Sequence, residues 1–369
     1  MRRALFGGLS AAGLWLLAEL IVTFAAAEGL AAYDAPPPSP EASRPSMPGS
    51  PYLIYELRPG VHTLGGATAA INSLGLRGPE PTPPRPNMRR LMTTGDSSIF
   101  GFGVSDGEVF SDVAAASLGA GVEAINAATP GYSTLQTINL LKLRALALEP
   151  DLIVIGNLWS DNNFDLFVDR EVLAEYQAYQ QGLIGRARGL LQWSSIYRAL
   201  DWQLRVRPAV ERVLWIDHRQ GQGRDGPHSN RRRVEVNDYA ASLERLVGIA
   251  SGAGAEVAFL IPANVEFATE ATETGPPHGW EVYRQVMRDT ADRHGALLLD
   301  VPALFRDSGR SSEELFIDVM HPSVLGHQLM GAALAELLRE RGWPAEPAMQ
   351  GGSGTAVPQY VDTLMARTR

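Results

Sequence analysis

Five short apolar runs recur along the chain and alternate with segments of helical periodicity. The runs have the composition of buried strands and cover Leu91–Thr94, Val122–Ile125, Leu152–Ile155, Val257–Ile261 and Ala296–Val301. The segments beside them predict helices over roughly 105–119, 133–148, 236–252, 279–294 and 323–341. This alternation predicts an α/β fold, in which a parallel sheet carries helices on both faces.

The N-terminus carries a different pattern. Arg2 and Arg3 precede an apolar run over residues 4–27 that Glu19 interrupts. This layout is typical of a secretory signal or an uncleaved signal anchor. Its length favours the anchor, because a membrane-spanning helix needs ~20 apolar residues, although the alanines at 25–27 offer small side chains to a signal peptidase. A buried soluble helix is the third alternative, and it requires a partner for Glu19.

The charges around this run predict where the chain is located. Arginines stand before the run and none follows it directly, which places the N-terminus in the cytoplasm and the remainder outside. We therefore expect an extracytoplasmic protein, held at the membrane by an N-terminal transmembrane helix or secreted if the signal is cleaved.

Composition divides the rest of the chain into segments. The predicted boundaries are 1–32 for the signal anchor or signal peptide, 33–51 for a Pro-rich linker, 52–87 for an N-terminal extension, 88–343 for the main domain and 344–369 for a C-terminal tail. Within the main domain, residues 162–236 are too many for a simple crossover, so we expect an inserted helical cap there.

Charge and cysteine content exclude several kinds of function. There are 32 Lys and Arg against 41 Asp and Glu, a net charge of −9 that would repel nucleic acid. The chain has no cysteine, which excludes thiolate nucleophiles and Cys-ligated zinc. Its seven histidines are not closely paired, and no phosphate loop or dinucleotide fingerprint occurs. We therefore predict no metal and no cofactor, and interpret the basic run Arg231–Arg233 as a solvated loop face.

Ser97 directly follows the first strong strand, in the sequence Gly95-Asp96-Ser97. That position lies at the carboxyl edge of the sheet, where open α/β sheets bind ligands. By itself Gly-Asp-Ser is a common turn sequence.

Asp318 and His321 stand three residues apart before the last predicted helix. A serine hydroxyl becomes an effective nucleophile when a base within hydrogen-bond reach takes its proton, and a carboxylate fixes the tautomer of that base. Ser97, His321 and Asp318 supply these three roles. A lone Asp-x-x-His would instead indicate a helix cap with a packed histidine, but the pairing with Gly-Asp-Ser favours a catalytic triad.

These residues resemble the SGNH, or GDSL-type, serine hydrolases over about residues 90–340. The matching segments are Gly95–Val104, Asn126–Thr134, Pro150–Asp161 and Asp318–His327, and Ile71–Gly78 resembles the leader of envelope-anchored members. The resemblance implies a flavodoxin-like α/β/α sandwich, with Ser97 as the nucleophile and the Gly131 N–H in the oxyanion hole.

The third of these segments departs from the family pattern. The family has Gly-x-Asn-Asp after the third strand, and here Ser160 stands in the position of the asparagine that donates to the oxyanion. Loss of one such donor costs on the order of 10²–10³ in turnover. The resemblance assigns the position to Ser160, while Asn157, Asn162 and Asn163 remain alternatives, as does a purely structural Ser160.

The sequence thus predicts a serine esterase that acts on a small-molecule ester, a lipid or an acylated envelope glycan. Two alternatives stay open. The same triad would serve an O-acyltransferase that passes the acyl group to a polysaccharide hydroxyl. Loss of the usual asparagine would suit a catalytically weak member that binds a glycan.

Overall fold

The computed structural model of the protein describes residues 2–27, 46–48, 52–83, 87–163, 168–174, 191, 193–201, 203–204, 231–267 and 279–344. In chain order, the elements are α1 (Arg2–Ala25), β1 (Ser46–Pro48), β2 (Tyr55–Leu57), β3 (Gly60–Leu64), β4 (Ala67–Ile71), β5 (Arg89–Gly95), α2 (Ser97–Phe100), α3 (Phe110–Leu118), β6 (Val122–Asn126), α4 (Thr134–Leu143), a 3₁₀ turn (Ala145–Leu148), β7 (Leu152–Gly156), α5 (Trp159–Asn162), α6 (Ser195–Asp201), α7 (Val236–Gly252), β8 (Glu256–Ile261), α8 (Gly279–His294), β9 (Leu297–Asp300), α9 (Val301–Asp307), α10 (Ser312–Leu315) and α11 (Val324–Glu340).

The chain forms two compact units. The first consists of residues 1–56 and 171–226, and the second of residues 57–170 and 227–369. Every site residue predicted from the sequence belongs to the second unit. Most of the predicted cap, most of the Pro-rich linker and nearly all of the tail lie outside the described residues.

Within the first unit, α1 occupies the apolar run at the N-terminus. Glu19 of α1 accepts hydrogen bonds from the Ser194 hydroxyl (2.5 Å) and the Ser195 N–H (2.6 Å). The carboxylate therefore has the polar partners that the soluble-helix alternative required. Among the described helices, none is both long enough and apolar enough to cross a membrane. The predicted transmembrane anchor is thus not confirmed.

The second unit is built on a five-stranded parallel sheet, as predicted. The strand order is β6-β5-β7-β8-β9, which is the order of flavodoxin-like folds. Each strand pairs in parallel with its neighbour, and Gly95 at the end of β5 lies opposite Gly156 at the end of β7. The loops that follow β5, β6 and β7 therefore leave the same edge of the sheet side by side.

Helices cover both faces of this sheet. α3 and α11 pack together on one face, and α4, α7 and α8 form the other layer. α11 buries Met330, Leu334 and Leu338, which share one face because they are four residues apart. Gly331 lets α11 approach α3 closely, since a Cβ there would lie 2.7 Å from the Phe110 carbonyl oxygen. The two layers complete an α/β/α sandwich.

A β-hairpin precedes the sheet, in the segment that the sequence predicted only as an N-terminal extension. β3 and β4 pair in antiparallel register through a turn at Gly65 and Gly66, whose φ angles are +59° and +87°. Such left-handed turns suit hairpins and favour glycine. The strands are short and half-exposed, so they lack the apolar run that marks the sheet strands.

Some predicted boundaries differ from the structure, as two examples show. The helix expected from 105 begins at Phe110, because glycines with positive φ at 103 and 107 keep the preceding segment irregular. The strand expected over 296–301 ends at Asp300, whose side chain caps α9 by accepting a hydrogen bond from the Ala303 N–H (3.1 Å).

Candidate active site

Ser97 is the first residue of a short helix, α2, at the carboxyl end of β5, which lies between β6 and β7 in the sheet. Asp96 caps this helix, since its Oδ1 accepts a hydrogen bond from the Ser98 N–H (3.2 Å). The turn packs tightly on the sheet, because a Cβ at Gly95 would lie 2.5 Å from Ile99 Cγ1. A larger residue than glycine would displace the helix that presents Ser97.

The second oxygen of Asp96 holds the loop that follows β7. Asp96 Oδ2 accepts hydrogen bonds from the N–H groups of Leu158 (3.4 Å), Trp159 (2.8 Å) and Ser160 (3.2 Å). Full burial raises the pKa of Asp96, and the backbone N–H groups oppose that shift by stabilising the carboxylate. Asp96 therefore joins the Ser97 turn to the loop that carries Ser160.

Ser97, His321 and Asp318 form a continuous hydrogen-bonded chain. The Oγ of Ser97 lies 2.7 Å from His321 Nε2, and His321 Nδ1 lies 2.6 Å from Asp318 Oδ2. In the tautomer with a proton on Nδ1, the imidazole donates to Asp318 and accepts the hydroxyl proton of Ser97. The structure thus brings together the three side chains that the sequence singled out, although Ser97 and His321 are 224 residues apart.

Asp318 is fixed by its own turn. Its Oδ1 accepts hydrogen bonds from the N–H groups of Met320 (2.9 Å) and His321 (2.8 Å). Partial burial acts to raise the pKa of Asp318, but the hydrogen bond and charge of His321, together with these N–H groups, outweigh it and lower the pKa to about 2. α11 is capped instead by Ser323, so Asp318 is not a helix cap.

A further hydrogen bond joins the Ser97 turn to the Asp318–His321 turn. The buried Ser98 hydroxyl donates to the Met320 carbonyl (2.9 Å). On its other side, the Val319 carbonyl accepts a hydrogen bond from the Val265 N–H (3.1 Å), in the loop after β8. The carbonyls of the two residues before His321 therefore hold its turn in place beside Ser97.

Arg77 holds the segment that follows Ser97. Its buried guanidinium donates to the carbonyls of Phe100 (2.8 Å), Gly101 (2.6 Å) and Val104 (2.7 Å), and its Nε pairs with Asp106 (3.0 Å). Carbonyls at the end of a helix lack intrahelical partners, and here one side chain satisfies several of them. Sequence reasoning gave Arg77 no role, although it lies in the leader segment that the resemblance included.

The segment held by Arg77 reaches the imidazole through Phe102. The Phe102 N–H donates to the Ser97 carbonyl (3.1 Å). Its ring centroid lies 4.7 Å from that of His321, with 38° between the ring planes. The Ser97 turn and the imidazole therefore contact each other through an aromatic ring as well as through the Ser97 hydroxyl.

Gly131 lies in the loop after β6, beside the Ser97 turn. The Thr129 N–H donates to the Gly95 carbonyl (3.0 Å), which ties this loop to the end of β5. Gly131 has φ +78°, a conformation that favours glycine. Neither the Gly131 N–H nor the Ser97 N–H donates a hydrogen bond to any of the described residues. Both donors are therefore available to an incoming oxyanion.

Arg233 fixes the carbonyl of Gly131 and corrects a sequence interpretation. The predicted solvated face over 231–233 is wrong for this residue, which is buried. Its Nε and Nη2 pair with the two carboxylate oxygens of buried Asp169 (2.8 and 2.9 Å), and Nη1 donates to the Gly131 carbonyl (2.7 Å). A buried carboxylate needs a cationic partner, and Arg233 is buried because it is the partner of Asp169. Since Asp169 is distant in sequence, the run of three arginines does not reveal which of them is buried.

Among the four candidates for the missing oxyanion donor, Ser160 retains an available group. Ser160 is buried, and its hydroxyl makes no hydrogen bond to a described residue. Asn157 donates its amide to the Thr137 hydroxyl (2.9 Å), so that amide is occupied. Asn162 is half-buried with its side-chain oxygen bound to an arginine, and Asn163 is exposed.

Asp161, next to Ser160, connects the second and third loops of the site. It accepts hydrogen bonds from the N–H (3.0 Å) and the hydroxyl (2.6 Å) of Thr134, at the start of α4. Burial raises the pKa of Asp161 to about 8, with a contribution from the nearby charge of Asp169, while the hydrogen bonds from Thr134 oppose the shift. The Gly131 and Ser160 loops are thereby fixed to each other.

Among the described residues, the other titratable groups near the site do not form a metal centre. Within the described ranges, no three His, Asp or Glu side chains are placed to hold a metal ion. His327, on α11, is buried, and its Nδ1 accepts a hydrogen bond from the Phe110 N–H (3.3 Å). Burial lowers the pKa of His327 to about 3, so the ring packs as a neutral side chain.

Comparison with known proteins finds similarity in structure only. No protein-family model matches the sequence, and no curated protein matches it significantly. Among solved structures, the chain is similar to a lipase/acylhydrolase from Enterococcus faecalis, with 17% identity, a TM-score of 0.43 and coverage of 69% of this chain and 97% of that one.

Two further structures are similar to a comparable degree. A putative GDSL-like lipase from Parabacteroides merdae has 14% identity and a TM-score of 0.42, covering 69% of this chain and 98% of that one. An acetylxylan esterase from Geobacillus stearothermophilus has 16% identity and a TM-score of 0.42, covering 70% and 97%. These neighbours are a lipase/acylhydrolase, a putative GDSL-like lipase and an acetylxylan esterase, and residue roles in this chain rest on its own geometry.

Proposed function

We propose that this protein is a serine esterase that cleaves carboxylic esters through Ser97. The Ser97 hydroxyl attacks the ester carbonyl while His321 Nε2 takes its proton, and Asp318 stabilises the imidazolium that forms. The tetrahedral intermediate then collapses, and His321 returns the proton to the leaving alcohol. Water, deprotonated by His321, releases the acyl group as a carboxylic acid and restores Ser97.

The observation that carries this proposal is the pair of hydrogen bonds around His321. Distances of 2.7 Å to Ser97 and 2.6 Å to Asp318 fall within the range required for proton transfer from the nucleophile. The low pKa of Asp318 keeps its carboxylate ionised at neutral pH, as stabilisation of an imidazolium requires.

The backbone around Ser97 supports an oxyanion site. The N–H groups of Ser97 and Gly131 make no hydrogen bond to described residues, and both belong to loops fixed by buried polar contacts. Donors that are fixed before the reaction stabilise a developing negative charge without reorganisation. We assign the third donor to the hydroxyl of Ser160, in place of the asparagine amide of the family.

We also propose that the protein works outside the cytoplasm, on O-acyl groups of envelope glycans or lipids. Support comes from the sequence, in which Arg2 and Arg3 precede the apolar run of α1. Fractionation of cells that express the full chain tests the location. Activity that remains in the cytoplasmic fraction would contradict it.

Covalent labelling tests the nucleophile. The full chain is incubated with a fluorophosphonate probe, and intact mass and peptide mapping locate the adduct. We expect one adduct at Ser97, its loss in Ser97→Ala and strong slowing in His321→Ala. Ser98→Ala is the matched control, because it removes the adjacent hydroxyl and should still be labelled, at most a few-fold more slowly. Well-folded protein that is not labelled, or is labelled equally without His321, would contradict the proposal.

A further inference from the structure

An apolar wall lies beside His321. It consists of Phe102, which contacts the imidazole, of Ile317, which packs next to Phe102, and of Val319, which lies in the same turn as His321. The Phe102 ring contacts the imidazole at 4.7 Å between centroids. Ile317 packs its δ1 methyl against Gly103, the residue after Phe102. Ile317 is nevertheless 44% exposed and Val319 is 59% exposed, so much of their apolar surface faces solvent.

The backbone fixes this wall to the imidazole. The Ile317 N–H donates to the His321 carbonyl (2.9 Å), and Phe316 pairs with Pro322 in an antiparallel bridge. Ile317 and Val319 flank Asp318, whose carboxylate contacts the imidazole. The wall therefore moves with the base and does not belong to a separate surface.

The chemistry of the proposed reaction places the leaving alcohol on this side. His321 Nε2 must return its proton to the alcohol oxygen, so that oxygen has to lie within hydrogen-bond reach of the ring. The carbon atoms attached to that oxygen then lie next to the side chains that surround the imidazole. This step rests on the proposed function of Ser97 and His321.

We infer that the site takes esters whose alcohol portion is apolar, such as an aliphatic alcohol of a lipid or an aromatic alcohol, in preference to acylated sugars. Single exposed apolar residues are ordinary on protein surfaces. Here two of them flank the carboxylate that orients the base, and a third side chain contacts the base itself. An apolar alcohol that binds here removes the apolar surface from water. The hydroxyl groups of a sugar, by contrast, gain no hydrogen bond from these side chains.

An apolar alcohol also affects the proton transfer. The Asp318 side chain is 44% exposed, so water screens its attraction for the imidazolium. An alcohol that covers Ile317 and Val319 displaces water from the same turn and strengthens that attraction. We therefore expect apolar alcohols to raise kcat as well as to lower KM.

Hydrolysis of acetate esters that share one acyl group tests the inference. The full chain is assayed by pH-stat on ethyl acetate, hexyl acetate and a methyl xyloside monoacetate. We expect kcat/KM for hexyl acetate to exceed that for ethyl acetate by about 10-fold, since four further methylene groups become partly buried. The double variant Ile317→Ser, Val319→Ser should reduce this ratio to about 2-fold. Val282→Ser, which removes an exposed valine from α8, should keep the parent ratio.

The outcomes separate this inference from the proposed function. An enzyme that hydrolyses ethyl acetate but prefers the xyloside acetate, or whose alcohol preference is unchanged in the double variant, contradicts the apolar site and leaves the esterase intact. Parent protein that hydrolyses none of the three esters and is not labelled at Ser97 contradicts the esterase itself. Loss of the preference in Val282→Ser as well would show that it does not arise at the wall.

Discussion

The two turns that meet at the candidate site are held in different ways. The Ser97 turn is buried, and its contacts join parts of the chain that are distant in sequence: Asp96 binds the loop after β7, and Arg77 binds the carbonyls after α2. The Asp318–His321 turn is exposed on one side, and Asp318 is held by N–H groups two and three residues ahead. One turn depends on the whole fold, whereas the other is largely local.

This difference agrees with the roles that we propose for the two turns. A nucleophile needs fixed N–H donors around it, and only neighbouring loops of the sheet can supply them. An acid and an imidazole three residues apart can orient each other within a single turn, so burial is not needed to bring them together. Because the local turn is partly exposed, a substrate can reach it.

The largest expected effect comes from the local turn. Asp318→Asn keeps an oxygen for the two N–H groups, but its amide cannot stabilise an imidazolium and favours the wrong tautomer. We expect kcat to fall on the order of 10³-fold, about 4 kcal/mol of transition-state stabilisation. The free energy of unfolding should change by less than about 1 kcal/mol, because the pair is partly solvated.

Steady-state hydrolysis of p-nitrophenyl acetate, with urea unfolding of the same preparations, measures both quantities. A kcat within a few-fold of the parent would mean that Asp318 does not act on His321 during the reaction. A large loss of stability would mean that the turn is less local than its hydrogen bonds indicate.

The buried turn should respond in the opposite way. Arg77→Met keeps the length of the side chain but leaves three carbonyls without the guanidinium, and we expect unfolding to become easier by about 3 kcal/mol. Labelling of Ser97 should slow in the protein that remains folded. Asp106→Asn is the matched control, since it weakens the ion pair at a partly exposed carboxylate while Arg77 keeps its carbonyl bonds.

Urea denaturation and the labelling rate constant, measured below the unfolding transition, separate the two contributions. If Asp106→Asn costs as much stability as Arg77→Met, the ion pair and not the carbonyl contacts holds the turn. If Arg77→Met leaves both quantities unchanged, the comparison between the two turns fails.

The same distinction explains what could be predicted from the sequence. The parallel sheet was predicted because its strands are continuous apolar runs, and α7, α8 and α11 because their apolar positions recur with helical periodicity. The proximity of Asp318 and His321 follows from their spacing. Their contact with Ser97 was expected because the three residues supply the roles of a triad and match the motifs of the family that the sequence resembles.

Contacts that depend on the tertiary fold were missed. Nothing local distinguishes Arg233, which is buried on Asp169, from the neighbouring arginines, and Arg77 acts on carbonyls more than twenty residues away. The β3–β4 hairpin was missed because its strands are short and half-exposed. The catalytic roles of Ser97, His321 and Asp318 remain predictions that the labelling and turnover experiments test. The oxyanion roles of Gly131 and Ser160 remain predictions as well.

A smaller effect is expected at the hydrogen bond that joins the two turns. Ser98→Ala removes the hydroxyl that donates to the Met320 carbonyl, and we expect a loss of about 1 kcal/mol in unfolding free energy and a few-fold slower labelling of Ser97. Ser242→Ala is matched to it, because this buried serine also donates to a carbonyl (2.7 Å), within α7. Equal labelling rates in the two variants would show that the link does not position His321.

The smallest expected effect is the dependence of stability on pH at Asp318. Its pKa is lowered from 3.8 to about 2 in the folded protein, so the folded state binds the proton less readily than the unfolded chain. The carboxylate therefore stabilises the fold above about pH 4, and this contribution is lost as the pH falls towards 2. Because the side chain is 44% exposed, the contribution is less than about 1 kcal/mol.

Urea unfolding of the parent and Asp318→Asn at pH 7, 4.5 and 2.5 tests this expectation. The difference in unfolding free energy between the two proteins should be equal at pH 7 and 4.5 and smaller at pH 2.5. A difference that grows on acidification would mean that the carboxylate is not stabilised by His321 and the turn, and that exposure dominates this side of the site.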